Sequence, residues 1–156
     1  MTRNNLIFSY AYPDAPTVIR KSFDAQEMMK TINARLSSIK PGKVEIEMDF
    51  QPALTQQHGY LHAGVVTTLV DSACGFAAFS LMPEGSQVLS VEFKVNLLAP
   101  AFGKCFLAIG QVLKAGRTLT VCKGELITIK GSSKVTSALM QATMMCMPKD
   151  NYFSRQ

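Results

Sequence analysis

The chain has 156 residues, 47% of them apolar, with 16 Lys and Arg against 11 Asp and Glu and a net charge of +5. That length suits one domain with ample material for a core, and no repeat, low-complexity segment or long charge run argues otherwise. A modest positive charge suits a phosphorylated small molecule, whereas no Lys/Arg cluster or aromatic–basic interleaving marks a nucleic-acid surface.

In chain order, the first twenty or so residues read as irregular, with Pro13 and Pro16 breaking any helix. The opening stretch lacks a signal peptide's basic region, apolar core and cleavage site. Asp24-Ala25-Gln26-Glu27 resembles a capping box, and Met28, Ile32 and Leu36 follow at helical spacing. Pro41-Gly42 closes that element. Lys43–Gln51 alternates with period two: Val44, Ile46, Met48 and Phe50 on one side, Glu45, Glu47 and Asp49 on the other. Pro52–Ala63 reads as a loop.

From about Ala63 to Met82 the chain is apolar nearly all round, with Asp71 its one charged residue. Such a helix is buried. A carboxylate placed there is costly to ionise, and that environment raises its pKa or holds a base away from bulk water. The segment is near membrane-spanning length. Asp71 at its middle and the absence of a basic flank speak against a membrane span. The helix ends at Pro83-Glu84-Gly85.

Four strand-like runs complete the chain. Val88–Asn96 alternates, which predicts Leu89, Val91, Phe93 and Val95 on one face. Phe102–Lys114, Arg117–Ile129 and Lys134–Met147 follow, joined by turns at Ala115-Gly116 and Lys130-Gly131-Ser132-Ser133. Short turns between long strands imply an antiparallel meander. The predicted fold is α+β, an antiparallel sheet of about five strands wrapped around one long buried helix. It forms a single domain over 1–156, with an N-terminal extension and helix over 1–42 and a core over 43–147.

The four cysteines, Cys74, Cys105, Cys122 and Cys146, are scattered without a C-x-x-C pair or metal-ligand spacing, and read as buried reduced thiols of a cytoplasmic protein. His58 and His62 are four apart, but the glycines around them favour a loop over a helical metal pair. No metal and no cofactor is expected. The Met-rich last strand, with Met140, Met144, Met145 and Met147, reads as core filler.

The stretch QQHGYLHAGVVTTLVDSACGFAA, Gln56 to Ala78, resembles the hotdog fold and, within it, the PaaI-like acyl-CoA thioesterases. SVEFKVNLLAPAFGK, Ser90 to Lys104, and the Gly116-Arg117 turn add to the resemblance, which covers roughly Lys43 to Met147. Family members carry Asn or a similar residue, a His-Gly-Gly turn six positions later, and an Asp or Glu nine positions after that His. Gln56, His62 and Asp71 occupy those places here. Gln56 stands for the more usual Asn, and Ala63 for the first Gly.

Thioester hydrolysis needs a polarised carbonyl, a delivered water and a stabilised oxyanion. The first turn of the buried helix offers free N–H groups at its positive end, so the Ala63 and Gly64 amides are the candidate oxyanion donors. Gly64 would also admit an acyl chain closely. Asp71 would act as general base on water or as a nucleophile. The resemblance implies that Ser90 orients the water and Gln56 bonds near the thioester, with His62 doing likewise or tying down the loop. Ser90 shares parity with Glu92 and Lys94, which would instead turn it to solvent. His58 reads as structural. Lys94, Arg117 and Lys114 are the candidate ligands for the phosphates of coenzyme A.

His62 and Asp71, nine residues apart, cannot serve one substrate within one chain, since a helix separates them by roughly 13 Å. A two-fold partner would bring them together. The expected assembly is a homodimer or dimer-of-dimers tetramer, with acyl-CoA as substrate and no nucleic acid or membrane partner. Two other functions fit the same fold: an acyl-thioester dehydratase or hydratase, whose D-x4-H arrangement is missing here, and a non-enzymatic acyl-CoA-binding module.

Overall fold

The computed structural model describes residues 7–148; the outermost parts of the expected 1–156 domain, including the first six residues of the stretch compared with a signal peptide, lie outside the described residues. Two short helices come first, α1 (Ala15–Asp24) and α2 (Glu27–Thr31), then strands β1 (Ala34–Lys40) and β2 (Lys43–Asp49). The long helix α3 (Ala63–Phe79) precedes β3 (Gln87–Leu97), β4 (Cys105–Lys114), β5 (Leu119–Lys130) and β6 (Ser133–Met147). One six-stranded sheet has the order β1-β2-β4-β5-β6-β3, every neighbouring pair antiparallel. The expected α+β layout, a sheet around one buried helix, is the one the chain adopts.

The N-terminal third departs from the sequence reading. Pro16 does not break a helix; it sits in the first turn of α1, where its missing N–H costs nothing. Ala15, Ile19 and Phe23 then recur every four residues and are buried. The expected capping box opens no helix. Asp24 is the last residue of α1, and Gln26, not Asp24, precedes α2 without a side-chain cap. Met29 and Ile32 face inward while Met28 stays half exposed. Asn33, with φ of 50°, turns the chain out of α2, a conformation that Asn tolerates better than most residues. Leu36 therefore belongs to β1, the sixth strand, whose bulge between Leu36 and Ser38 spoils any clean alternation. Pro41-Gly42 is the turn of the β1–β2 hairpin, so the expected division at residue 43 falls inside one hairpin.

On β2, β4, β5 and β6 most of the predicted inward face is apolar and buried. Val44, Ile46 and Met48 on β2 are fully buried. Phe106 and Ala108 on β4, Cys122 and Leu126 on β5, and Ala138, Met140, Ala142 and Met144 on β6 complete the inward face. α3 lies across it and stops at Phe79, three residues earlier than expected, where the Ser80 hydroxyl donates to the Ala77 carbonyl at 2.6 Å and accepts from the Gly42 N–H at 2.7 Å.

The helix reaches the sheet because two strands carry glycine at the crossing. Gly110 and Gly124 are cross-strand partners on β4 and β5. A Cβ on Gly110 would lie 2.2 Å from the Ala73 backbone, and one on Gly124 would lie 2.3 Å from the Val70 side chain. Small residues on the helix, Ala73, Cys74, Ala77 and Ala78, match that close approach and are buried.

Gly110→Ala should therefore destabilise the fold by about 1–3 kcal/mol or more, since helix backbone cannot move aside as a side-chain tip can. Gly75→Ala, where an added Cβ meets nothing within 4 Å, should stabilise α3 by about 0.5–1 kcal/mol. Urea unfolding of both variants, with slopes like that of wild type, checks the pair; equal midpoints would remove the glycine contact as the seat of the helix.

Candidate active site

α3 begins at a turn that spends its polar groups locally. Thr55 and Leu61 bridge the loop ends, and the Gln56 N–H donates to the Tyr60 carbonyl at 2.9 Å. Gly59 takes φ of 82° between them. The Gln56 side-chain oxygen accepts from the His58 N–H, which folds the amide back over the loop. His58 contributes that backbone group and is otherwise exposed, in keeping with a structural part.

His62 is the N-cap residue of α3: its Nδ1 accepts from the Gly64 N–H at 2.9 Å. Gly64, a candidate oxyanion donor, lies inside this cap. Its amide is already engaged, and a Cβ there would sit 3.0 Å from His62 Nδ1, so the missing side chain makes room for the cap. The Ala63 N–H donates to no protein acceptor among the described residues. It points from the first turn of a 17-residue helix, where the backbone dipole favours negative charge. Ala63 lines a hollow of about 340 Å³ with Gln56, Tyr60, Val66, Leu98 and Ser137.

Asp71 lies two turns along α3 in a different hollow, a cleft of about 580 Å³ that it shares with Lys21, Ser72, Phe76, Gln87 and Ser90. The Ser90 hydroxyl donates to Asp71 Oδ1 at 2.8 Å and approaches the sulfur of buried Met144 at 3.4 Å. Burial pushes the Asp71 carboxyl above the ordinary carboxylate range, and the Ser90 hydrogen bond partly opposes it. Nearby thiols are inert: burial raises Cys74 well above its usual value and Cys122 to about 12.

A bulge reverses the parity argument against Ser90. The register of β3 on β6 shifts between Ser90 and Glu92. Ser90 lies opposite inward-facing Met144, while Glu92 lies opposite Thr143 and accepts its hydroxyl at 2.5 Å. The extra residue, Val91, turns Ser90 towards α3 and sends Glu92 and Lys94 to the outer face. It also splits the predicted apolar row, since Leu89 no longer shares a face with Phe93 and Val95.

Gln56 and Ala63 thus meet in one hollow, Asp71 and Ser90 in the other, and the two share no lining residue. Ala63 and Asp71 are roughly 12 Å apart along the helix. The three phosphate candidates are brought to neither hollow. Lys94 faces outward opposite Gln141. Lys114 ends β4, and Arg117 lines a separate hollow of about 540 Å³ with Glu84, Ser86 and Met147. Sequence reasoning missed Lys21 and Gln87 as cleft residues, and Tyr60 beside Gln56. Lys21 was hidden because α1 was read as irregular; Tyr60 stood within the H-G-Y-L-H run, its aromatic ring the available signal.

A six-stranded antiparallel sheet wrapped on one long helix is the architecture of the hotdog fold. The comparisons agree. The model of the thioesterase superfamily matches residues 58–134. Human acyl-coenzyme A thioesterase 13 is 34% identical over 101 residues, 64% of this chain and 71% of that protein. The crystal structure of a thioesterase family protein from Silicibacter pomeroyi superposes with a TM-score of 0.85 at 48% identity, covering 86% of this chain and 98% of that one. The Escherichia coli PaaI protein shares the fold, with a TM-score of 0.76 at 20% identity over 85% of this chain and 92% of its own. The chain belongs to the thioesterase superfamily, in its hotdog-fold, PaaI-like branch, and is a thioester hydrolase. Among the described residues no group of three metal-binding side chains occurs, and no helix is long and apolar enough to cross a membrane.

The raised pKa of Asp71 has a stability consequence. Between the carboxylate's unfolded value and its higher folded value, the native state holds a proton that the unfolded chain has lost. Stability therefore falls as pH rises through that window, and the ionised acid is a net burden above it. Asp71→Asn should raise Tm at neutral pH, with the gain fading below the ordinary carboxylate range. Thermal unfolding across pH checks this; a variant less stable than wild type at pH 7 would mean that the charged Ser90 contact outweighs burial.

Proposed function

We propose that this protein hydrolyses acyl-CoA thioesters to a free acid and the CoA thiol, at sites shared across a two-fold dimer. The observation that carries the reading is the division of the candidate groups into two hollows on one helix. One holds the free Ala63 amide with Gln56, the other Asp71 with Ser90. A second copy, related by a two-fold axis, supplies to each hollow what its own chain leaves too far away. Edge strand β3 supports that partner. It is hydrogen-bonded on one side, to β6, and carries exposed Leu89, Val91, Phe93 and Leu97, with exposed Leu98 just after it. An open edge with apolar side chains is a template for pairing.

In the composite site the thioester oxygen sits at the Ala63 N–H of one protomer, with the Gln56 amide beside it. Asp71 of the other protomer takes a proton from water through Oδ2, since Ser90 occupies Oδ1. The water oxygen bonds to the carbonyl carbon, and the oxyanion that develops is held by the Ala63 amide at the positive end of α3. Collapse breaks the C–S bond, and the proton on Asp71 passes to the leaving thiolate. A base whose pKa lies nearer neutrality is better matched to both transfers. His62 acts through the helix start, whose first turn it caps.

Asp71→Asn should leave a folded protein and lower kcat for thiol release by about 10²–10⁴. The measurement is thiol release over a panel of short, long and aromatic acyl-CoAs, with circular dichroism on the variant. A folded variant within about threefold of wild type would remove Asp71 from the proton transfer.

Sharing is tested by mixing. Gln56→Ala and Asp71→Asn homodimers should each be impaired. After equimolar co-refolding, half the dimers are mixed and each has one intact site of two, so activity should recover to about one quarter of wild type. No recovery, with mixed dimers confirmed by native mass spectrometry, would place each site within one chain.

A further inference from the structure

The strand order gathers at one end of the sheet a group of cations that the sequence keeps apart. Lys104 precedes β4, Lys130 ends β5, and Lys134 lies near the start of β6, opposite Ile129. The Lys104 N–H donates to the Ile129 carbonyl at 2.9 Å, so the three lysines issue from adjoining strand ends. All three are exposed, and none forms an ion pair among the described residues, unlike Lys30, Arg35, Lys43 and Lys123. Asp49, the acid at this end of β2, is occupied by Arg35 at 2.8 Å.

Two aromatic rings lie exposed beside these cations. Phe102 is 50% accessible and Tyr60 38%. The rings meet edge to face with centroids 6.1 Å apart, and Lys130 Nζ stands 5.1 Å from the Phe102 centroid. The Leu61 N–H donates to the Ala101 carbonyl at 2.9 Å, which fixes the Tyr60 and Phe102 segments to each other. Tyr60 also lines the hollow that holds Gln56 and the Ala63 amide. The patch therefore borders the mouth of the proposed oxyanion site.

Exposed aromatic faces stack on flat bases of any identity, and lysines bind phosphates as point charges. We propose that Tyr60, Phe102 and Lys130, with Lys104, bind the adenine and phosphates at the far end of coenzyme A. This rests on the acyl-CoA reading above and deepens it: the thiol carrier is recognised as a nucleotide. An acidic carrier protein would satisfy the lysines and leave the rings unmatched. The patch lies at the opposite end of the sheet from Lys114 and Arg117, which flank the β4–β5 turn.

The experiment compares one acyl group on two carriers, CoA and N-acetylcysteamine, which lacks the nucleotide. The combined Phe102→Leu and Lys130→Gln substitutions should raise KM for the acyl-CoA about tenfold, the loss of one stacked base and one charge. The ratio of the two KM values should rise with it. Calorimetry with adenosine 3′,5′-bisphosphate should show binding to wild type and a matching loss in the variant. An unchanged KM for acyl-CoA, an equal rise on both substrates, or a KM effect that appears with Arg117→Ala instead, would overturn the assignment. So would a lower KM for an acyl-carrier-protein thioester that depends on Lys130 and not on Phe102. The nucleotide titration separates the two claims. Binding without hydrolysis of any thioester would sink the catalytic reading and leave the patch, whereas hydrolysis without nucleotide binding would sink the patch alone.

Discussion

Everything in the site depends on how closely α3 can lie against the sheet. Gly110 and Gly124 face each other across β4 and β5 where Ala73 and Cys74 cross them, and a Cβ on either would overlap the helix. This contact sets the depth of the helix and hence the height of every group on it. With the helix seated, Asp71 faces the start of β3 and meets Ser90, while the Ala63 amide opens beside the loop that carries Gln56. Lifting the helix by the thickness of a methyl group would move both ends of the candidate machinery together. Hydrogen-bond geometry at a reacting carbonyl tolerates little displacement.

The site is built at the expense of stability in two places. Asp71 is ionisable in a cleft partly walled by Phe76 and Phe79, where burial disfavours its charged form. Ser90 supplies one hydrogen bond to it, and the other carboxylate oxygen has no protein partner among the described residues. At the start of α3 the cap is incomplete in a useful way. His62 satisfies Gly64 and leaves Ala63 without a protein partner. A fully capped helix would be more stable and would have no donor to offer a substrate.

The surface divides by the same logic. Inward faces of the strands are apolar and closed over α3, and the outer face carries Lys–Glu pairs such as Lys43–Glu45 at 2.6 Å. Other cations form no ion pair among the described residues. Lys104, Lys130 and Lys134 are far apart in sequence and become neighbours because β4, β5 and β6 are consecutive in the sheet. That is why reading along the chain finds no basic cluster while the fold assembles one.

The sequence by itself determined the class of fold, the buried helix and its acid, and the resemblance to hotdog thioesterases. These are carried by short-range regularities. Period two on β2 and the apolar run around Asp71 are local, and the spacing of Gln56, His62 and Asp71 is fixed by one loop and one helix. The tertiary structure decided the rest. Pro16 reads as a breaker until its place in the first turn of α1 is known, and β1 is recognisable by its partner β2 rather than by its interrupted pattern. Ser90 faces the acid because pairing with β6 inserts a bulge at Val91, and a one-residue slip reverses the face of each side chain after it. Helix starts have free amides, yet the Gly64 N–H meets the His62 ring, a contact that spacing alone does not show. Each of these depends on which groups meet across the fold, and a linear pattern holds no record of that.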